Sequence, residues 1–315
     1  MIYLGLDTSN YTTSAALYDS HTGEATQQRT LLAVPHGQKG LRQSDAVFLH
    51  VKQLPSLLEA LMEGQPSPSA VGVSARPRDA YGSYMPCFLA GEMAARAIGI
   101  AGKIPVFSFS HQAGHLAAAL YGMEELELAK QPFLAFHASG GTTECLLVSP
   151  GKEHPFDVEI LGRSLDLAVG QIIDRVGVML GLEFPAGRQL EVLAASSKTA
   201  MPFKPVLKDG NCCLSGLENQ CAALIEKGVA PADIAAFCQK AVGETLLEMV
   251  KVVANKYAGM PVVFAGGVMS NAYIRQMIAG EIKSARFAPA HLSTDNAVGA
   301  AVLCELTINR RATLC

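Results

Sequence analysis

Residues 4–20, LGLDTSNYTTSAALYDS, and residues 134–150, LAFHASGGTTECLLVSP, lie over one another without a gap, at an offset of 134 − 4 = 130. Leu4/Leu134, Ser9/Ser139, Thr12/Thr142 and Thr13/Thr143 are identical, and the apolar positions on either side match in kind. The first stretch reads as a strand from Met1 to Asp7, a polar turn Thr8-Ser9-Asn10, and a second strand near Thr13 to Tyr18. One such pair of hairpins carries little weight. Two that each open a stretch of similar size, and together fill the chain, indicate a duplicated αβ unit.

Outward from the hairpins the pattern alternates. After the first come a helix containing Pro55, a strand Ala70 to Ser74, a small-residue helix over 80–101, a strand Pro105 to Phe109 and a helix His111 to Tyr121. The charged stretch Glu124 to Lys130, ending in Pro132, reads as a linker. Beyond the second hairpin, helices are expected over Ser164 to Leu180, Leu214 to Lys227 and Pro231 to Ala258, then a strand Val262 to Ala265 and a last helix after Asp295. The expected organisation is an α/β protein of two domains. Residues 1–131, completed by a C-terminal helix over 296–315, form the first, and residues 132–295 form the second.

Composition narrows the class. The chain has 315 residues, half of them apolar and 17% charged, which excludes intrinsic disorder and coiled coil. No run of about 18 apolar residues lacks charges or turn residues, so no membrane partner is expected. Asp7 interrupts the only apolar stretch near the N-terminus and no basic segment precedes it, which argues against a secretory signal. A net charge of −3 gives no general attraction to RNA, so any such contact must be local. The eight cysteines are scattered, with no C-x-x-C, which suits neither a disulfide framework nor a zinc knuckle. A reduced, cytoplasmic protein is expected.

Four constellations can carry chemistry. His111 and His115 fall at i and i+4 behind the natural N-cap Ser110, so two imidazoles can share one metal, although the same spacing suits two packing histidines. Gln112 stands where a zinc-protease motif needs glutamate. Ser139-Gly140-Gly141-Thr142-Thr143 sits between two strands, where backbone N–H groups and hydroxyls can surround a phosphate. A facing pair of such turns is the layout of actin-like and sugar-kinase ATPases, with a nucleotide between the halves. Phe264 to Asn271 runs from a strand into Gly266 and Gly267, whose bare backbone would let a base or ribose lie close. In Ser293-Thr294-Asp295-Asn296, Asp295 either caps the last helix or completes a metal site with the histidines. Walker, G-x-G-x-x-G and G-x-S-x-G motifs are absent from the sequence.

Taken in order, these residues resemble the tRNA threonylcarbamoyladenosine transferase family, formerly described as O-sialoglycoprotein endopeptidases, an offshoot of the actin-like ATPase superfamily. The resemblance spans nearly the whole chain: the opening hairpin, His111 and His115, Ser139 to Thr143, Leu161 to Gly187, Ser215-Gly216-Leu217, Ala265 to Asn271 and Thr294-Asp295-Asn296. It implies a duplicated ribonuclease-H-like fold with a nucleotide cleft between the domains. It implies that His111, His115 and Asp295 hold one divalent metal, iron or zinc. It further implies that His137, Ala138, Ser139, Gly140, Gly141, Asp174, Gly187 and Asn271 line a site for ATP or threonylcarbamoyl-AMP. The activity so implied is transfer of a threonylcarbamoyl group to N6 of a tRNA adenosine, with a same-fold paralogue and a small ATPase as partners.

The chain departs from the family pattern at defined places. Tyr11 and Thr12 stand where the family carries an acidic pair, and Thr142 replaces a histidine. Leu167 and Gln171 replace acidic residues, and Glu218 replaces a lysine. A glycine- and leucine-rich segment before the metal helix reads Ala75-Arg76-Pro77-Arg78-Asp79. These changes describe a divergent paralogue. They leave open a same-fold carbamoyl or acyl transferase acting on another acceptor, or a nucleotide-binding regulatory or scaffold paralogue without tRNA-modifying activity.

Overall fold

The structure, a computed structural model, describes the chain except residues 10, 34–40, 153 and 315 and the side chains of 313 and 314. Asn10 of the first polar turn and Cys315 therefore lie outside the described residues. The chain forms two compact units: 1–131 with 149–157 and 294–315, and 132–148 with 158–293.

The first unit opens with β1 (Ile2–Asp7), β2 (Thr12–Asp19) and β3 (Glu24–Leu31), an antiparallel meander. It continues through α1 (Gln43–Met62), β4 (Ala70–Arg76), α2 (Phe88–Gly102), β5 (Val106–Ser110) and α3 (His111–Gly122). β4 and β5 add in parallel beside β1, giving the sheet order β3-β2-β1-β4-β5. One face of this sheet buries Leu4, Leu6, Leu17, Val71 and Val73 against Leu54, Leu61 and Ala95 of α1 and α2. The small-residue helix begins at Phe88 rather than Ala80; Tyr81, Gly82 and Pro86 in the preceding stretch favour turns over a regular helix.

The second unit repeats this plan. It contains β6 (Phe133–Ala138), most of β7 (Thr143–Pro150) and of β8 (Phe156–Arg163), α4 (Val169–Met179) and α5 (Gly187–Ala194). A two-residue ribbon, β9 (Leu207–Lys208) with β10 (Asn211–Cys212), precedes α6 (Ser215–Glu226) and α7 (Pro231–Lys256). Then follow β11 (Val262–Ala265), α8 (Ala272–Glu281) and β12 (Ala285–Phe287). The sheet order, β12-β11-β6-β7-β8, is that of the first unit. The helix expected from Ser164 starts at Val169, because Asp166 turns back to accept the N–H groups of Leu214 and Ser215 at 2.8 and 3.0 Å.

The offset of 130 survives as register. Leu4 pairs with Leu17 and Leu134 with Leu147; Asp7 pairs with Ser14 and His137 with Glu144. A one-residue slip in either hairpin would exchange its two faces, so the shared register carries the same inward positions in both copies.

The chain returns to the first unit as α9 (Val298–Leu314). α9 lies backbone-close on the sheet, because glycines leave room for it. A Cβ on Gly5 would overlap the Ala297 carbonyl, one on Gly72 the Ala300 carbonyl, and one on Gly299 the Gly114 carbonyl of α3. Ala297, Ala300 and Ala301 present the matching small face. This packing brings the start of α9 against α3. Among the described residues, no helix is long and apolar enough to cross a membrane.

Candidate metal centre and nucleotide turn

α3 starts where β5 ends. Ser110 accepts the Ala113 N–H at 3.1 Å as N-cap, so His111 is the first helical residue and His115 lies one turn on. Asp295 lies opposite, three residues before α9. Its Oδ1 stands 3.4 Å from Nε2 of His111 and 3.4 Å from Nε2 of His115. A metal with ligands at about 2.0–2.1 Å in tetrahedral geometry sets its ligand atoms about 3.3–3.4 Å apart. Both carboxylate–imidazole distances match that spacing, all three donor atoms lie within 4.8 Å of one another, and the set of two imidazoles and one carboxylate suits zinc or iron.

The sequence reading missed Asp7. This carboxylate is 1% exposed at the end of β1. Its Oδ2 lies 2.8 Å from His111 Nδ1 and accepts the Ser74 hydroxyl at 2.5 Å, while Oδ1 accepts the Ser9 N–H at 2.8 Å and the Ser9 hydroxyl. With Nδ1–H given to Asp7, Nε2 presents its lone pair toward Asp295, the tautomer a metal needs. Without a metal, burial disfavours the imidazolium, but the Asp7 and Asp295 charges outweigh it and raise the His111 pKa to about 10. Both carboxyl groups are held below their ordinary range: burial opposes this, and it is overcome at Asp7 by the charge and bond of His111 with the Ser74 and Ser9 bonds, and at Asp295 by the bonds and charge of the two histidines. The signal for Asp7 was present as a single carboxylate closing the apolar strand Ile2–Leu6.

Asp295 does not cap α9. Asn296, just outside the helix, instead accepts the N–H of its first residue, Val298, at 3.1 Å, and Asp295 faces the histidines. Arg29 of β3 donates to Thr294 Oγ1 at 2.7 Å, and Asn296 Nδ2 donates to the Thr294 carbonyl at 2.7 Å, so both neighbours of Asp295 are fixed.

In the second unit the turn after β6 closes on itself. Ser139 N–H reaches the Thr142 carbonyl at 2.8 Å, and Ser139 Oγ accepts the Thr142 N–H at 3.2 Å. The first residues of α4 clamp it: Gly170 N–H donates to the Ser139 carbonyl at 3.2 Å and Val169 N–H to Thr143 Oγ1 at 2.8 Å. A Cβ on Gly170 would strike Gly140, whereas one on Gly140 or Gly141 would meet nothing within 4 Å. The turn is thus rigid behind and open in front, beside the positive end of a helix.

The other expected cradle residues fall in separate places. His137 and Ala138 are buried at the end of β6, His137 in register with the buried Glu144. Asp174 on α4 accepts the Ala186 N–H at 2.8 Å, beside Gly187; burial pushes its carboxyl pKa up, against that bond. Asn271 caps α8 through Ile274 N–H at 3.0 Å and donates to Gln239 at 2.9 Å. Of the two glycines after β11, Gly266 is required by its φ of +101° and by the adjacent Ala138 carbonyl, so its bare backbone faces protein; Gly267 faces open space. Glu218 is not an isolated negative charge, because Arg175 pairs with it at 2.9 Å. Gln171 replaces its acid as a local acceptor for the Ala168 N–H at 3.0 Å.

Comparison with known proteins agrees with this architecture. The protein resembles the activator of 2-hydroxyisocaproyl-CoA dehydratase from Clostridium difficile, solved with bound ADPNP, at a TM-score of 0.57 and 15% identity over 99% of this chain and 98% of that one. It also resembles full-length HypF in its phosphate- and nucleotide-bound form, at a TM-score of 0.61 and 13% identity over 98% of this chain and 46% of that one. These likenesses show the actin-like ATPase fold. In sequence, the chain is 32% identical over 309 residues to the tRNA N6-adenosine threonylcarbamoyltransferase of Sulfurihydrogenibium sp. (strain YO3AOP1), covering 94% of this chain and 87% of the relative. The family profile for TsaD, tRNA N6-adenosine threonylcarbamoyltransferase, matches residues 36–302, and the chain belongs to that family.

Proposed function

We propose that the protein transfers a threonylcarbamoyl group from an adenylate donor to the N6 amine of a tRNA adenosine, with one divalent metal held by His111, His115 and Asp295. The observation that carries this reading is the convergence of those three side chains, with Asp295 3.4 Å from each imidazole, in a chain of this family. The metal, when bound, supplies a Lewis acid for donor oxygens.

The chain's own residues do the rest. Asp7 orients His111 and fixes its tautomer. Gly140 and Gly141 offer an open backbone to the donor's phosphate, with the α4 N-terminus behind it. Asp174 and Asn271 take the ribose and base. In the transfer, the N6 nitrogen forms a bond to the carbamoyl carbon, the bond from that carbon to the phosphate oxygen breaks, and AMP leaves with the electron pair. The nitrogen's proton passes to solvent.

A second reading, transfer to another acceptor, is favoured by one group of residues. Tyr11 and the buried Thr12 cannot supply the charge of an acidic pair. The arginines of the two short basic runs are also engaged within the protein: Arg76 binds Asp79, Arg310 donates to the His154 carbonyl at 3.2 Å, and Arg311 lies over Phe107. The test is complementation of cells depleted of their own threonylcarbamoyl transferase, with the modified nucleoside quantified by mass spectrometry. Rescue by the chain, with its same-fold paralogue and small ATPase supplied, supports the tRNA reading. Failure to rescue, with metal and nucleotide still bound, moves the reading to another acceptor.

A further inference from the structure

His111, the first residue of α3, stands where a helix frays most easily, yet it must hold one position to serve as a ligand. The segment before α3 addresses this. Asp79 Oδ2 accepts the Ser110 hydroxyl at 2.6 Å, and Oδ1 accepts Arg76 Nε at 2.9 Å. Ser110 has one hydroxyl proton. Committed to Asp79, it leaves only lone pairs facing the helix, so the Ser110 oxygen is fixed as acceptor for the Ala113 N–H. The Pro77 carbonyl takes the Gln112 N–H at 3.1 Å. The same five residues, Ala75 to Asp79, thus serve the first-turn donors on both sides of His111's own helix start. Arg76 also pairs in register with Ser110 at the end of β4 and β5.

We propose that Asp79, held by Arg76 and acting through Ser110, is a positioning residue for the metal site, fixing the first turn of α3 so that His111 is presented to the ion. The proposal rests on the metal reading above. It explains what this chain gains where the family carries a glycine- and leucine-rich segment: a charged brace on the ligand helix. Asp79 also places a negative charge at the helix's positive end, a favourable position in its own right.

Metal-free, full-length protein titrated with Co²⁺ and followed by visible absorption tests this, with urea unfolding of the metal-free form alongside. Asp79→Ala should weaken Co²⁺ binding about tenfold, at the low end of the loss expected for outer residues of a metal site. Asp79→Asn keeps an oxygen for the Ser110 hydroxyl and should recover most of the affinity; Arg76→Ala should lose about threefold. The ligand-field spectrum of Asp79→Ala should shift as one imidazole loosens. An unchanged Co²⁺ affinity in Asp79→Ala, whatever its urea midpoint, overturns the proposal. If that variant does not fold, Asp79→Asn and Arg76→Ala decide: native affinity in Asp79→Asn with a loss in Arg76→Ala supports the brace, and native affinity in both removes it. Absence of Co²⁺ binding by the unaltered chain overturns the metal reading itself and this proposal with it, an outcome distinct from the variants behaving alike.

Discussion

Asp7→Asn tests the centre most directly, because the two side chains have nearly the same shape. Each Asp7 oxygen accepts two donors: Ser74 and His111 on one, the Ser9 N–H and hydroxyl on the other. An asparagine has only one such oxygen. Whichever way the amide turns, its NH₂ faces two donors in a site that is 1% exposed. Two bonds to a charged acceptor are lost, each contributing about 1.5–3 kcal/mol, and a rotating serine hydroxyl recovers part of that. A net loss of about 2–4 kcal/mol is expected for the metal-free protein, read from urea unfolding. Metal affinity should fall about 10–100-fold, since Nδ1 of His111 is no longer held by a carboxylate. Isothermal titration with Zn²⁺ reads this second effect. Stability within about 0.5 kcal/mol of the unaltered chain, with affinity within about twofold, would refute the assigned role of Asp7.

Other outcomes follow from the same geometry. Gly140→Ala adds a Cβ into open space and should leave the unfolding midpoint unchanged while reducing AMP or ATP binding by calorimetry; native binding would remove the turn from the phosphate site. Gly299→Ala places a Cβ into the Gly114 carbonyl of α3 and should cost about 1–3 kcal/mol or more in urea unfolding. Asp166 holds the start of α6 and its carboxyl is lowered, burial opposing and the Leu214 and Ser215 N–H bonds prevailing. Its contribution is therefore present above the ordinary carboxylate range and lost as pH falls below about 4, so Asp166→Asn should flatten the acid limb of stability against pH. The effect is small because the group is solvent-exposed. Glu218→Lys replaces a pair with Arg175 by two like charges near the surface and should lower stability by about 1 kcal/mol or less in thermal unfolding.

The duplicated plan was legible because register is a local property: a gapless offset between two hairpins fixes which residues face inward, and the strand orders then agree. The spacing of His111 and His115 was legible for the same reason. Asp7 was legible only as a carboxylate closing an apolar strand, because its role is set by Ser74 and His111, 67 and 104 residues away. Asp295 could be read in sequence as a helix cap or as a metal ligand, and only α3, distant in the chain, decides between the two. Gly266 looked like a ligand surface in sequence; a neighbouring strand's carbonyl, invisible there, explains it instead. Arg76 and Asp79 stood in sequence only as a departure from the family pattern, and their place beside Ser110 follows from the pairing of β4 with β5.

The return of α9 to the first unit sets an order of events during synthesis. Asp7, His111 and His115 leave the ribosome early, but Asp295 and the helix that seats it come 180 residues after His115. At about 5–20 residues per second that interval is about 10–40 s. The second unit's segments between them are complete before the first unit can close over its own sheet. During that time any ion met by the nascent chain finds two imidazoles and no opposing carboxylate. For the metal site proposed above, selection of the ion therefore waits until Asp295 has been made, when the whole donor set meets the ion at once.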